Sequence, residues 1–249
     1  MQEGYSKPIY NHIPNPTIRR ILFVCFCVIA VAYAENGFPN DRPEPMIFDL
    51  VDPLGAKKGE VELNSLFDYS PRTAQFQWSP EIEYAFKNGH AIELELPVEN
   101  TTLNEYKVAL QGTLGKLFQG RMIHGWQTIG RRKNDEKEYG AELLYLNDYK
   151  FSEKWSMMNM FGFRRTAFSD NGEFVGLSNN SLFYKPYNRL SLGVELNSEI
   201  TNKYHYRLTP QIQYAFTKNA SIQFGGGPSQ LNEEKRIEWL VTSRLIYDF

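Results

Sequence analysis

From Lys58 to Phe249 apolar and polar residues alternate, segment after segment, with polar or glycine-bearing breaks between them. A period of two marks a β-strand whose two faces meet different surroundings. In YHYRLTPQIQYAF (204–216) one face carries Tyr204, Tyr206, Leu208, Pro210, Ile212, Tyr214 and Phe216. The other carries His205, Arg207, Thr209, Gln211, Gln213 and Ala215. FQWSPEIEYAF (76–86) and RIEWLVTSRLIYDF (236–249) follow the same rule. No stretch after residue 35 keeps a helical period. The pattern predicts twelve strands, near 60–69, 75–87, 90–99, 105–114, 120–131, 137–149, 154–166, 173–184, 189–199, 203–217, 220–226 and 236–249. GEFVGLSNNSLFY changes parity midway, which predicts a bulge there. GGGP at 225–228 reads as a strand-to-loop break.

Two stretches share one pattern. SPEIEYAFKNGHAIEL from Ser79 and TPQIQYAFTKNASIQF from Thr209 align without a gap. Pro80, Ile82, Tyr84-Ala85-Phe86 and Ile92 recur as Pro210, Ile212, Tyr214-Ala215-Phe216 and Ile222. Only the charge changes: Glu81, Glu83 and Glu93 become Gln211, Gln213 and Gln223.

Alternating antiparallel strands make either a soluble barrel with its apolar face inward or a membrane barrel with that face outward. Aromatic placement favours the second. Tyr84/Phe86, Tyr149/Trp155, Tyr184, Tyr214/Phe216 and Tyr247/Phe249 fall at one set of strand ends. Phe67/Tyr69, Phe76/Trp78, Tyr106, Tyr139, Phe161/Phe163, Tyr204/Tyr206 and Trp239 fall at the other. Rings with one apolar and one wet side collect at bilayer interfaces. The opposite face carries full charges, acceptable toward a wet lumen. The expected lumen-lining set is Glu81, Glu83, Glu93, Glu95, Lys107, Arg207, Gln211, Gln213, Arg236 and Arg244. Acids crowd the early strands and bases the late ones, and closure would bring Glu60 or Glu62 to Arg244. Every second connector (KNGHA, KLFQG, KFSEK, KPYNR, TKNAS) is short, while the opposite set includes RRKNDEK and GGPSQLNEEK. Strand-final Tyr247 and Phe249 resemble the signal read by the barrel-assembly machinery. The expected class is therefore all-β: a transmembrane antiparallel up-and-down β-barrel of about twelve strands.

Composition then sharpens the compartment. Arg19-Arg20 precede an apolar run at 21–34 that ends in Ala32-Tyr33-Ala34. That run is shorter than the roughly 20 residues of a membrane-spanning helix. It reads as a signal peptide over 1–34, although the 18 residues before Arg19 are long for its leading segment. Cys25 and Cys27 would leave with it, so the exported chain forms no disulfide. Loss of Lys7, Arg19, Arg20 and Glu3 takes 27 basic and 29 acidic residues to 24 and 28, a mildly acidic balance with no sign of nucleic-acid binding. Residues 35–57 carry four prolines and no periodicity, and read as an arm ahead of the barrel at 58–249.

Asp41-Arg42-Pro43, then Gly59-Glu60-Val61-Glu62-Leu63, then Tyr84-Ala85-Phe86-x5-Ile92-Glu93-Leu94-Glu95-Leu96-Pro97 form one ordered set. It resembles the transporter-like outer-membrane barrels grouped as "meta-pathway of phenol degradation", over 41–249. The resemblance implies a twelve-strand barrel that passes small solutes, aromatic ones among them.

No catalytic set is legible. His90, His124 and His205 lack a serine and carboxylate at recognisable spacing, no G-x-S-x-G occurs, and no His or Cys pair has metal spacing. The sequence therefore predicts no enzyme, cofactor or metal site. It predicts a passive outer-membrane channel for small solutes, held in outer-membrane lipid. The alternative is a barrel plugged by its own side chains and by residues 35–57, with a structural or interaction role.

Overall fold

The computed structural model describes residues 43–47, 54–135, 137–231 and 237–249. The leader expected over 1–34, arm residues 35–42 and 48–53, and Arg236 lie outside the described residues.

The alternation folds as twelve long antiparallel strands. They are β1 (Val61–Ser70), β2 (Gln75–Lys87), β3 (His90–Glu95), β4 (Glu105–Leu117), β5 (Met122–Lys133) and β6 (Tyr139–Lys150), then β7 (Trp155–Arg165), β8 (Phe174–Tyr187), β9 (Leu190–Ile200), β10 (Tyr204–Ala215), β11 (Ala220–Ser229) and β12 (Glu238–Asp248). Each pairs with its neighbours in sequence, and β1 pairs with both β2 and β12. The sheet therefore closes and leaves no long edge unpaired.

Closure gives the strands an inside and an outside, and apolar residues take the outside. Ile82, Ile92, Leu94, Val194 and Ile212 are each exposed, and each adjoins at least one buried polar residue along its strand. This inverts a soluble core and is the surface a lipid-embedded barrel needs. The aromatics mark its two borders. At one end Tyr84, Phe86, Tyr214, Phe216 and Phe249 are exposed and Tyr247 half-buried; Tyr214 and Phe216, and Tyr247 and Phe249, meet edge to face. At the other, Trp78 stacks on Phe67 and donates its indole N–H to Ser65, Tyr206 stacks on Tyr204, and Trp239 is exposed.

Connectors at the first end span two to four residues: 88–89, 118–121, 151–154, 188–189 and 216–219. Two of them, 88–89 and 188–189, have only two residues; in the first, Gly89 adopts a φ of 70° that a two-residue hairpin favours. A Cβ on Gly89 would also lie 2.9 Å from Thr113 Cβ. At the opposite end 96–104, 134–138, 166–173 and 230–237 are longer, whereas 71–74 and 201–203 are as tight as their counterparts.

Three strands differ from the sequence pattern. The third stops at Glu95, because Leu96-Pro97 interrupts the ladder; Val98–Glu99 then forms a short separate strand against Gln77-Trp78. The eighth has no bulge between residues 174 and 184, where it pairs in unbroken register with β7; its irregularity lies between Tyr184 and Tyr187. Its parity change has another cause: Val175 and Leu177 point inward and are buried there. The eleventh runs through the glycines to Ser229 instead of breaking at them. Gly226 and Gly227 are needed inside that strand, since a Cβ on Gly227 would lie 2.1 Å from the Leu208 carbonyl oxygen.

The recurring Pro80 and Pro210 have a shared structural position. Neither ring can donate to a ladder. Pro80 lies beside the point where β3 ends, and Pro210 falls in the gap between the Arg207–Ser229 and Gln211–Gly225 pairs of β10 and β11. Ala85 and Ala215, the kept small residues, are both buried inside the barrel.

Candidate functional site

The bore is the concave region of the molecule, and its chemistry follows from register. On β2 and β3, Glu81 stands opposite Glu95 and Glu83 opposite Glu93. All four side chains are buried, and carboxylate oxygens of Glu81, Glu93 and Glu95 lie within 4.8 Å of one another. Like charges set directly opposite repel. Part of the compensation comes from β4, where Lys107 faces Glu95 in register and places Nζ 2.8 Å from its Oε2. Neutral donors supply more. Gln111 donates to Glu83 at 3.0 Å and Gln127 to Glu93 at 3.4 Å. Spacing along the chain gave no metal set, yet the fold gathers three oxygen donors of the kind hard cations take. Gln111 and Gln127 were not singled out from the sequence; the signal was their inward parity on β4 and β5.

The late-strand bases are dispersed among acids. Arg207 on β10 reaches past β11 and β12 to form a two-pronged pair with Asp68 of β1, at 2.8 and 2.7 Å, and also meets Thr242 of β12. Asp68 in turn accepts from the Thr242 hydroxyl. Closure brings Arg244 within electrostatic reach of Glu62, as expected, but not into register with it. In register it faces Leu66, whereas Glu62 faces Asp248 at the other end of the pairing. Its Nε donates to Asn64 at 2.7 Å instead. On the middle strands Arg131 pairs with Glu105 and Glu142, and Arg164 with Glu142 at 2.7 Å and Glu199 at 2.6 Å. The division into an early acidic wall and a late basic wall therefore reduces to one acidic patch on β2 and β3.

A third wall is apolar. Ile123 and Ile129 of β5, Leu144 and Leu146 of β6, Met158 and Met160 of β7, and Val175, Leu177 and Phe183 of β8 form one buried cluster at inward positions. The sequence pattern assigned polar residues to the inside. The available signal was Leu143-Leu144-Tyr145-Leu146, a continuous apolar run of the sort strands show when both faces are apolar.

The bore is occupied by the chain itself. Glu195 of β9 accepts the Met46 N–H at 2.8 Å and the Ile47 N–H at 3.3 Å through one carboxylate oxygen, which Gln211 also holds at 3.1 Å. Gln223 donates to the Glu44 carbonyl at 2.9 Å, and Arg244 to the Pro45 carbonyl at 2.6 Å. Arg244 also lies 3.9 Å from the Glu44 carboxylate. Met46 is 1% exposed. Further along, Leu54 packs in the apolar cluster beside Ile123, and Ala56 against Ala85 and Ala91. β5 and β11 are six strands apart in a ring of twelve, so the arm touches opposite sides of the bore.

This explains the Glu-to-Gln exchange between the paired stretches. A carboxylate can only accept, whereas an amide also donates. Gln211 and Gln223 donate toward the arm's seat, and Gln213 donates to Ser221 at 3.4 Å. The histidines make local bonds: His90 with Asn88, His124 with Tyr145 and His205 with Gln230.

No family model matches the chain, and no curated protein matches it in sequence. Solved outer-membrane proteins do match its fold. The NanC porin superposes with a TM-score of 0.61 at 10% identity, over 74% of this chain and 98% of the porin. The KdgM porin gives 0.58 at 10% identity, over 76% and 99%. An outer membrane channel from Pseudomonas putida F1 gives 0.57 at 12% identity, over 81% and 100%. These matches do not show the phenol-degradation family. At these identities the likeness is one of fold, and the fold is that of an outer-membrane β-barrel of the porin and channel kind.

Proposed function

We propose that this chain is a bacterial outer-membrane channel for small solutes, closed in the present state by its own arm. The observation that carries the reading is the arm's position: Glu44–Ile47 seated on β9–β12 and Leu54 against β5, inside a closed barrel with an apolar exterior. Twelve strands enclose a bore between the sizes that side chains fill and those that stay open. One inserted segment is enough to shut it. In this reading residues 1–34 are the leader, 35–57 the closing arm and 58–249 the barrel, and the two aromatic rows rest at the lipid interfaces. The apolar strip of β5–β8, facing polar walls, suits a solute with one apolar and one polar side. Such a solute agrees with the resemblance to the phenol-degradation barrels.

The test is planar-bilayer conductance of the full chain and of Met46→Asp, which sets a charge where a buried methionine sits. The channel reading expects small, infrequent openings from the unaltered chain and a several-fold rise in conductance or open probability from the variant. Silence from both would support the second reading, a plugged barrel with a structural role. That reading is favoured by the many ion pairs that fill the bore.

The acidic patch makes a separate prediction. Glu81, Glu83, Glu93 and Glu95 set four acidic groups against the one basic group of Lys107. A lining of one sign enriches its counter-ions about tenfold or more. The open channel should therefore prefer cations. Changing all four to Gln leaves Lys107 with only Glu62 of β1, the register partner of Glu83, so the reversal potential in a potassium chloride gradient should move toward anion preference. An unmoved reversal potential would dismiss the patch as a selectivity element.

A further inference from the structure

The arm is held chiefly by its main chain. Across Glu44–Ile47 two successive N–H groups meet Glu195, and two carbonyls meet Gln223 and Arg244. Side chains of the segment are read as well, and buried Pro45 lines a small cavity with Met158, Met160 and Asn179. The Glu44 carboxylate faces Arg244, and the Met46 methyl lies over Gly225, where an added Cβ would stand 3.1 Å from it. Four consecutive strands thus present, in order along an extended segment, an acceptor for amide hydrogens, donors for carbonyls, a cation for an acid and a hollow for a flexible apolar group. These are the requirements of a peptide-binding groove, where main-chain bonds give affinity and pockets give selection.

We infer that the seat formed by Glu195, Gln211, Gln223 and Arg244 is a binding site for short, extended acidic peptides, which the chain's own Glu44–Ile47 occupies as an internal competitor. The inference rests on the arm being the bore's occupant, as described above. Nothing in the seat requires covalent attachment of what fills it. Attachment matters through concentration: a tethered segment competes at an effective concentration in the millimolar range. A free peptide therefore binds the unaltered chain poorly and a chain with an unseated arm well.

The probe is the blocked peptide acetyl-Pro-Glu-Pro-Met-Ile-amide carrying a fluorophore. Its anisotropy is read against the full chain in detergent, unaltered and as Met46→Asp, with folding checked by heat-modifiable gel migration. Saturable binding to Met46→Asp, at least about tenfold tighter than to the unaltered chain, is the expected result. Methylating the peptide's Met nitrogen removes its hydrogen bond to the buried Glu195 carboxyl and should weaken binding at least about tenfold. If Met46→Asp does not fold, the double variant Pro45→Gly with Met46→Gly replaces it. Absence of saturable binding to a folded unseated variant overturns the inference, and so does equal binding of the methylated peptide. The two readings fail separately. Binding without any rise in conductance sinks the channel and keeps the site; a rise in conductance without binding sinks the site and keeps the channel.

Discussion

Replacing Arg207 with Met will destabilise the barrel by about 3–5 kcal/mol, the usual cost of leaving a buried charge without its partner. Arg207 is 4% exposed and grips both oxygens of Asp68. Without it the Asp68 carboxylate keeps the Thr242 hydroxyl, one neutral donor where there were two charged ones. The pair also ties β10 to β1 across two intervening strands, so its loss is felt where the cylinder closes. Urea unfolding of the protein reconstituted in lipid vesicles measures the effect. The double change Asp68→Asn with Arg207→Met should recover most of it, because no uncompensated charge remains. A single-variant loss below about 1 kcal/mol would show that the carboxylate finds other compensation.

Placing Arg at Val194 should cost about 2–4 kcal/mol in a bilayer, the range for a basic residue on the lipid face near mid-depth. Val194 is exposed and pairs with Leu182 on one side and Pro210 on the other, between the two aromatic rows. On a water-facing surface the same change would fall within about ±0.5 kcal/mol. The measurement therefore reports which medium the exterior meets. A near-zero result in vesicles would remove this band from lipid.

The strands were legible because two local signals agreed. Alternation fixed the inward and outward sets, and turn residues such as Asn88-Gly89 fixed where each strand stopped. Boundaries failed where a residue served a distant partner. Val175 and Leu177 disturbed the parity of β8 because they join a cluster with Met158 and Leu146 on other strands. The glycines of β11 looked like a break because their role, close approach to Leu208 and Leu240, lies in neighbouring strands. Within the bore the identities of Glu81, Glu83, Glu93 and Glu95 could be read from parity. Their convergence with Gln111 and Gln127 depended on register. The seat of the arm was least legible. Residues 35–57 have no period, and Pro45 meets Arg244 across 199 positions of sequence. The difference between the paired stretches was the one local trace of it, since Gln223 is an amide where Glu93 is an acid.

Arg244 bonds Asn64 of the first strand and Pro45 of the arm at once. That double contact bears on the timing of assembly. The arm is made first, yet its seat is built wholly from the last four strands, and Arg244 lies on the final one. Contacts this remote cannot form until a loop of nearly the whole chain is closed, an entropic toll that slows folding. The arm therefore waits through assembly. When β12 arrives beside β1, one guanidinium registers the seam and the arm together. Sealing the cylinder and seating the arm are thereby coupled through one side chain.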